Sequence, residues 1–253
     1  MKKIFFLTIL LVESSVCFGQ IRFHHLINKN TITSYGFDLV SGGSSVDLCV
    51  TRKGIVSVSG GKINVDIWRI LDQTTCPNGI DRSTAIGSGL QIVDRRNTYG
   101  QPTRVLVLPF SAINLGVNTL PFRIRQKVTV DETGATIPAT GTSAFQLAFN
   151  VGYTYGFSQI TTRAITNWSA TIGGYFGPST ADLKKETVKH PSLWTTNQTN
   201  ATLTYGFNLI LARNNFGLVF AYGFEKALGM NKEEWVYNGK PYFGFGINTN
   251  FLR

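Results

Sequence analysis

The sequence predicts an all-β protein, an antiparallel up-and-down transmembrane β-barrel of about eight strands with a β-rich N-terminal segment in front of it. Three observations predict it. Long segments after residue 142 alternate every second residue between aromatic or aliphatic side chains and small or neutral polar ones. Lys and Glu, which a water-facing sheet would carry on its outer side, are nearly absent from those segments. The connections between them alternate between short and long.

The clearest alternation runs from Thr142 to Ser158. Phe145, Leu147, Phe149, Val151, Tyr153, Tyr155 and Phe157 fall on one face, with Gln146, Ala148, Asn150, Gly152, Thr154, Gly156 and Ser158 on the other. A period of two is the signature of an extended strand whose faces meet different surroundings. A strand of a soluble sandwich is usually about five or six residues long. A tilted membrane strand needs about 9–11 residues plus overhang.

The rhythm recurs at Trp168, Ala170, Ile172 and Phe176, at Leu203 to Leu211, at Phe216 to Phe224 and at Phe243 to Phe251. Upstream, residues 122–128, 103–112 and 85–94 read as three further strands, which brings the number to about eight. Extra strands from the N-terminal part would raise it to about 10–12. Arg213-Asn214-Asn215 and the link at 159–163 are short, whereas 131–141, 178–200 and 226–240 are long. Short turns at one end and long loops at the other match a barrel with periplasmic turns and external loops.

Residues 1–19 read as a secretory signal peptide. Lys2 and Lys3 precede the apolar run Ile4 to Val12, and Cys17-Phe18-Gly19 sets small residues at the cleavage site. That run is too short to span a bilayer as a helix, which takes about 20 residues. The formal charge of the whole chain is +10. Export and the scattering of the positive charges argue against a nucleic-acid partner. Cys49 and Cys76 remain after cleavage and are a candidate disulfide, because neither has a CxxC partner or nearby histidine to suggest a metal. Residues 20–84 contain Ile55 to Ser59 and Ile63 to Leu71, two short strands split by Gly60-Gly61. They form a β-rich segment, either a periplasmic domain or additional strands, and 85–253 form the barrel.

The signal peptide, the aromatic alternation from about residue 143 and the aromatic Phe251 beside the C-terminus together resemble the small outer-membrane β-barrel proteins of Gram-negative bacteria. The resemblance covers about the last 110 residues and names a class rather than a member. It implies a place in the outer membrane, with membrane lipid and the barrel-insertion machinery as partners. It implies no activity.

Arg123, Arg125 and Lys127 alternate with Phe122, Ile124 and Val128, so a lipid-facing Phe122 and Ile124 turn all three cations inward. Such a basic ladder suits either an anion path or a structural ladder paired with acids and tyrosines. Small inward residues such as Gly206 and Gly223 either leave room or let bulky neighbours pack. Trp194, Trp235 and Tyr237 in the long loops are candidate contacts for an extracellular ligand. His190, with Asp182 and Ser192 in one loop, is the only grouping suited to rim catalysis, and its spacing does not demand that chemistry. His24-His25 is a weak metal candidate. No GxSxG, HExxH or phosphate-loop motif is present, so neither a catalytic residue nor a cofactor is assigned. The expected function is therefore a structural, surface-interaction or narrow-pore barrel. The competing classes are a barrel enzyme acting on envelope lipid or peptide at the outer rim, and a soluble exported β-sandwich or adhesin.

Overall fold

Alternating sequence becomes extended backbone almost throughout. The structure, a computed structural model, describes residues 23–46, 48, 51–67, 89–95, 104–130, 132–143 and 146–249. The N-terminal part holds β1 (His24–Ile27), a helix α1 (Lys29–Ser34), β2 (Phe37–Ser41), β3 (Ser44–Ser45), β4 (Arg52–Ser59), β5 (Lys62–Ile67) and β6 (Leu90–Asp94). All pair antiparallel, in the order β1-β4-β5-β6-β2-β3. Gly60 and Gly61, with φ of 58° and 74°, make the two-residue turn between β4 and β5 that the double glycine predicts. Alternate apolar residues of these strands, among them Phe37, Leu39, Val56, Ile63, Val65, Leu90 and Ile92, bury on one side as a conventional core.

The rest comprises β7 (Leu106–Arg125), β8 (Val128–Thr129), β9 (Thr136–Ile137), β10 (Thr140–Ser143), β11 (Leu147–Ile160), β12 (Ile165–Leu183), β13 (Gln198–Arg213), β14 (Phe216–Ala227) and β15 (Pro241–Thr249). β11 pairs with β12, β12 with β13, β13 with β14 and β14 with β15. β7 then pairs with β15 on one edge and with β11 on the other, so the series of six strands returns to its start. Followed once round, Pro109 leads through Phe157, Trp168, Arg213, Phe216 and Thr249 back to β7 at Val117, a slip of 8 residues (117 − 109). The short connections 161–164 and 214–215 lie at one end and the long ones at the other. Asn214 takes a left-handed φ of 53° in the tightest turn, a conformation asparagine tolerates.

The sequence reading expects about eight strands in this part, and the described residues show a different division. Residues 103–112 and 122–128 are not two strands but mostly one, β7, 20 residues long. Residues 90–94 pair with β2 and β5 in the N-terminal sheet. The long β7 tolerates two prolines because each sits where the ladder is already interrupted. On the edge that β1 shares, pairing covers only Phe110 and Ser111, just beyond Pro109. Pro121 lies in the bulge where Leu120 and Pro121 oppose Gly246, and a Cβ on Gly246 would come 1.9 Å from the Thr119 carbonyl oxygen. The segments 178–183 and 198–200, expected as loop, instead prolong β12 and β13 beyond the ends of β11 and β14.

The two parts are continuous. β1 joins the lower half of β7 through His24↔Ser111 and His25↔Phe110. Leu106, Leu108 and Ile160, at the short-turn end of β7 and β11, lie in the same core as Ile27 and Phe37. His25 is buried at this junction, with Nε2 2.8 Å from Ser158 Oγ, and Ser158 donates on to Asn167 Oδ1 at 2.7 Å. Burial lowers the His25 pKa to about 4, against a smaller opposing effect of a backbone hydrogen bond with Gly54. Because the folded value lies below the unfolded one, the unfolded chain takes up the proton first as pH falls. The stability is complete above about pH 6.5 and is lost progressively toward pH 4, by up to about 3 kcal/mol. Denaturant unfolding of the purified protein between pH 7 and 4 is expected to show this loss. His25→Gln should flatten the pH dependence, and an unchanged slope in that variant would refute the assignment.

Candidate functional site

Most of the six-strand ring exposes its large apolar side chains and buries a face of small and polar residues, while the lower half of β7 buries Leu106, Leu108 and Phe110 instead. Along β11, residues 147, 149, 151, 153, 155 and 157 are exposed while Ala148, Asn150, Thr154 and Ser158 are buried. Ile172, Phe207 and Tyr153 are 71%, 70% and 60% accessible, whereas Thr204 and Thr171 are 0% and 1%. Aromatics line up across the pairing direction. Phe149, Phe176, Tyr205 and Phe224 occupy one row of register partners, and Phe157, Trp168 and Phe216 stand in another together with Arg213. The Arg213 guanidinium lies 4.9 Å from the Trp168 ring centre, an arrangement that a cation over an indole face stabilises.

The buried face is a stack of short hydrogen-bonded layers. Thr154 and Thr171 share a 2.6 Å bond, Asn208 Nδ2 donates to Asn150 Oδ1 at 2.6 Å, and Asn248 Nδ2 donates to Asn118 Oδ1 at 2.7 Å. Tyr175 donates to Tyr242 at 2.9 Å, and Gln146 Nε2 bonds Thr204 Oγ1. Glycines admit the large rings. A Cβ on Gly223 would fall 1.9 Å from the Tyr175 hydroxyl, and one on Gly156 2.7 Å from the Phe110 ring. The small residues of this face thus make room for bulky neighbours.

The ionic centre of this interior is Glu225. Arg123 donates to Glu225 Oε1 and, at 2.9 Å, to Ser179 Oγ, while Arg125 Nε reaches Glu225 Oε2 at 2.8 Å. Arg123 and Glu225 are each 1% accessible. Two guanidinium groups on one carboxylate leave a positive excess, which the Arg125 plane shares with the rings of Trp235 and Tyr237, both 5.2 Å from it. Of the expected ladder, Arg123 and Arg125 therefore lie inward as a paired structural group. Lys127 lies beyond the end of β7 and is exposed.

Above this ionic group the long loops fold into a cap. Three 3-10 turns, Lys185–Thr187, Pro191–Leu193 and Lys232–Glu234, belong to it. Val188 pairs with Trp235, and the Val236 and Lys189 amides donate to the Thr187 and Glu234 carbonyls at 3.1 and 2.8 Å. Val130, Leu183, Val188, Ala227, Trp235, Val236 and Tyr237 form its core, with Trp194 packed against it. The expectation that Trp194, Trp235 and Tyr237 offer a ligand contact is corrected here. Trp235 and Tyr237 are 1% and 4% accessible, and the half-buried Trp194 donates its indole N–H to the Leu183 carbonyl at 3.3 Å. Their apolar area is used to seat the cap on the strands. The ladder and the loop aromatics, read separately in the sequence, meet at Arg125.

The remaining candidates separate. His190 Nδ1 lies 2.8 Å from Glu234 Oε2, and the Ser192 hydroxyl is bound by Glu132, so the ring and the hydroxyl are each tied to a different carboxylate. Asp182 accepts from Thr199 at 2.9 Å. His24 and His25 are consecutive on a strand and so point to opposite faces, which prevents their ligating one ion together. The signal peptide, Cys49, Cys76 and Phe251 lie outside the described residues. Glu225 is the residue the sequence reading did not single out. Its signal was present, because it is the one carboxylate on the inward face of a strand from 143 onward.

Comparisons with protein-family models, curated proteins and solved structures find no match to this chain. Function must therefore be argued from the geometry. Replacing Glu225 by Gln leaves Arg123 charged and buried without its counter-ion. It is expected to cost about 3–5 kcal/mol in denaturant unfolding. The double variant Arg123→Met/Glu225→Gln should recover most of that loss. A single variant as stable as the parent would contradict a buried ion pair at the centre of the fold.

Proposed function

We propose that this chain is a small, plugged β-barrel of the bacterial outer membrane, with a structural or surface-interaction role played through its loop cap. The observation that carries the reading is the inverted ring, with large apolar side chains outside and, inside, amides, hydroxyls and an ion pair among small, aliphatic and tyrosine side chains. In water, an exposed apolar surface on six neighbouring strands would far exceed the few hundred Å² that soluble monomers leave open. In a bilayer the same distribution is the favourable one. The dimensions agree. Six strands with a slip of 8 residues give a tilt of roughly 43° for about 3.3 Å per residue and about 4.8 Å between strands. The exposed apolar run from Leu147 to Phe157 then rises roughly 24 Å, close to the height of about 25 Å typical of the lipid-facing band.

The same arithmetic favours a plug over a pore. The backbone radius comes to roughly 6–7 Å, narrower than the eight-stranded barrels whose interiors side chains already fill. Tyr175, Tyr242, Arg123 and Glu225 occupy the middle of that space. The cap covers one end and the N-terminal core the other. A narrow anion path along Arg123 and Arg125 has no support in this arrangement, since both are engaged with Glu225.

Two outcomes test the reading. The protein is expected to stay with membranes through carbonate extraction and to change its gel mobility on heating, while planar bilayers containing it remain electrically silent. Phe207→Arg, which puts a cation on the outer face, should cost about 2–4 kcal/mol in lipid. If Phe207→Arg instead improves the solubility of a detergent-free protein without loss of fold, the outer face meets water and the barrel reading is wrong.

A further inference from the structure

At the cap end, a cleft of about 440 Å³ opens beside the last residues of β7 and the first of β15. It is lined by Lys127, Lys189 and Lys240, with Gln126, Thr129 and Asn238 between them. We propose that this cleft binds a phosphate-type anion of more than one charge, supplied by a phosphomonoester lipid headgroup at the membrane rim or by a free oligophosphate.

Three observations point there. First, the fold forces the lysines together. The last β7–β15 pair above the bulge is Arg125↔Tyr242; Lys127 and Lys240 each lie two residues beyond it, and both line the cleft. Like charges gathered around one cleft repel, and an anion between them removes the repulsion. Second, Lys189 is held in place from its own backbone, because its amide donates to the Glu234 carbonyl at 2.8 Å and its carbonyl accepts from Glu132 at 3.4 Å. The third cation is thus delivered by a pinned strand-like segment rather than by a loose loop. Third, the charge is not neutralised from within. Among the described residues none of the three lysines forms an ion pair. Glu233 touches the rim only through Asn238 Nδ2, at 3.4 Å. Elsewhere in the same cap, Glu234 and Glu132 are engaged by His190 and Ser192.

The height of the cleft favours the headgroup as the source, a point that rests on the barrel reading. Lys127 and Lys240 each stand three residues beyond the exposed Ile124 and Phe243, a rise of roughly 7 Å at the strand tilt above. That offset carries the ammonium groups out of the apolar band to the level where charged headgroups lie. Lysine suits the task because it binds phosphate as a compact, mobile point charge.

The test uses the full chain purified in detergent and titrated with pyrophosphate by calorimetry. Saturable binding is expected, weakened at least tenfold in Lys127→Gln/Lys189→Gln/Lys240→Gln and unchanged in Lys184→Gln/Lys185→Gln, which removes two cations of the same end outside the cleft. Absence of saturable binding, or equal weakening by both variants, overturns the proposal. A second arm reconstitutes the protein into phosphatidylcholine vesicles with or without phosphatidic acid. Retention of phosphatidic acid by the parent and not by the triple variant assigns the headgroup as the source, whereas equal retention assigns the free anion. Failure to insert into either vesicle would refute the barrel reading and leave the detergent titration to decide the cleft.

Discussion

The six long strands turn polar groups toward one another, and the pairing of those groups across the interior is what lets the strands coexist. A buried amide or hydroxyl without a partner costs about as much as a whole hydrogen bond contributes, and a buried charge costs more. Asn150 with Asn208, Asn118 with Asn248 and Tyr175 with Tyr242 supply such partners across strands distant in sequence, and Thr154 with Thr171 across one hairpin, while the second amide atom of each asparagine stays unpartnered. Glu225 is the partner of two arginines at once. Because a slip of one residue would send each of these groups to the opposite face, the polar interior fixes the register of the ring more firmly than its apolar exterior does.

From that constraint the division of labour follows. The strands make the wall, their glycines make room for tyrosines inside it, and the two ends are sealed by different means. The short-turn end rests on an ordinary hydrophobic core that β7 and β11 share with the N-terminal sheet. The long-loop end rests on a second core around Val188 and Trp235, joined to the interior by Arg125. A wall closed at both ends by packed side chains suits a platform for surface chemistry better than a conduit, and the lysines of the cap sit on that platform.

Much of this was legible in the chain. Strict alternation fixed which residues face outward, from Leu147 to Phe157 and from Leu203 to Leu211, because period two leaves no freedom once one residue is assigned. The short turns near 161–164 and 214–215 were readable as well, whereas the 178–200 loop was read too long at both ends. The number of strands was not legible. Residues 103–112 and 122–128 read as separate strands, but bulging and a free edge let β7 run through Pro109 and Pro121, and nothing local to residues 103–128 announces that. The fate of the loop aromatics was equally hidden. Whether Trp235 lies open or covered depends on Val188 and Arg125, which are 47 and 110 residues away and meet it only after the ring has formed. The ion pair was half legible: the cations stood out as a ladder, while their partner was a single glutamate in an aromatic strand.

The claim that hydrocarbon surrounds the ring can be tested one residue at a time. Spin labels placed singly from position 147 to 158 of the reconstituted protein would report collision with oxygen, which concentrates in the bilayer, and with a water-soluble nickel chelate, which does not. The account predicts oxygen-accessible labels at the odd positions, with low accessibility to both reagents at the even ones. Strong nickel collision at Phe149, Val151, Tyr153 and Tyr155 would mean that these side chains face water, and would contradict it.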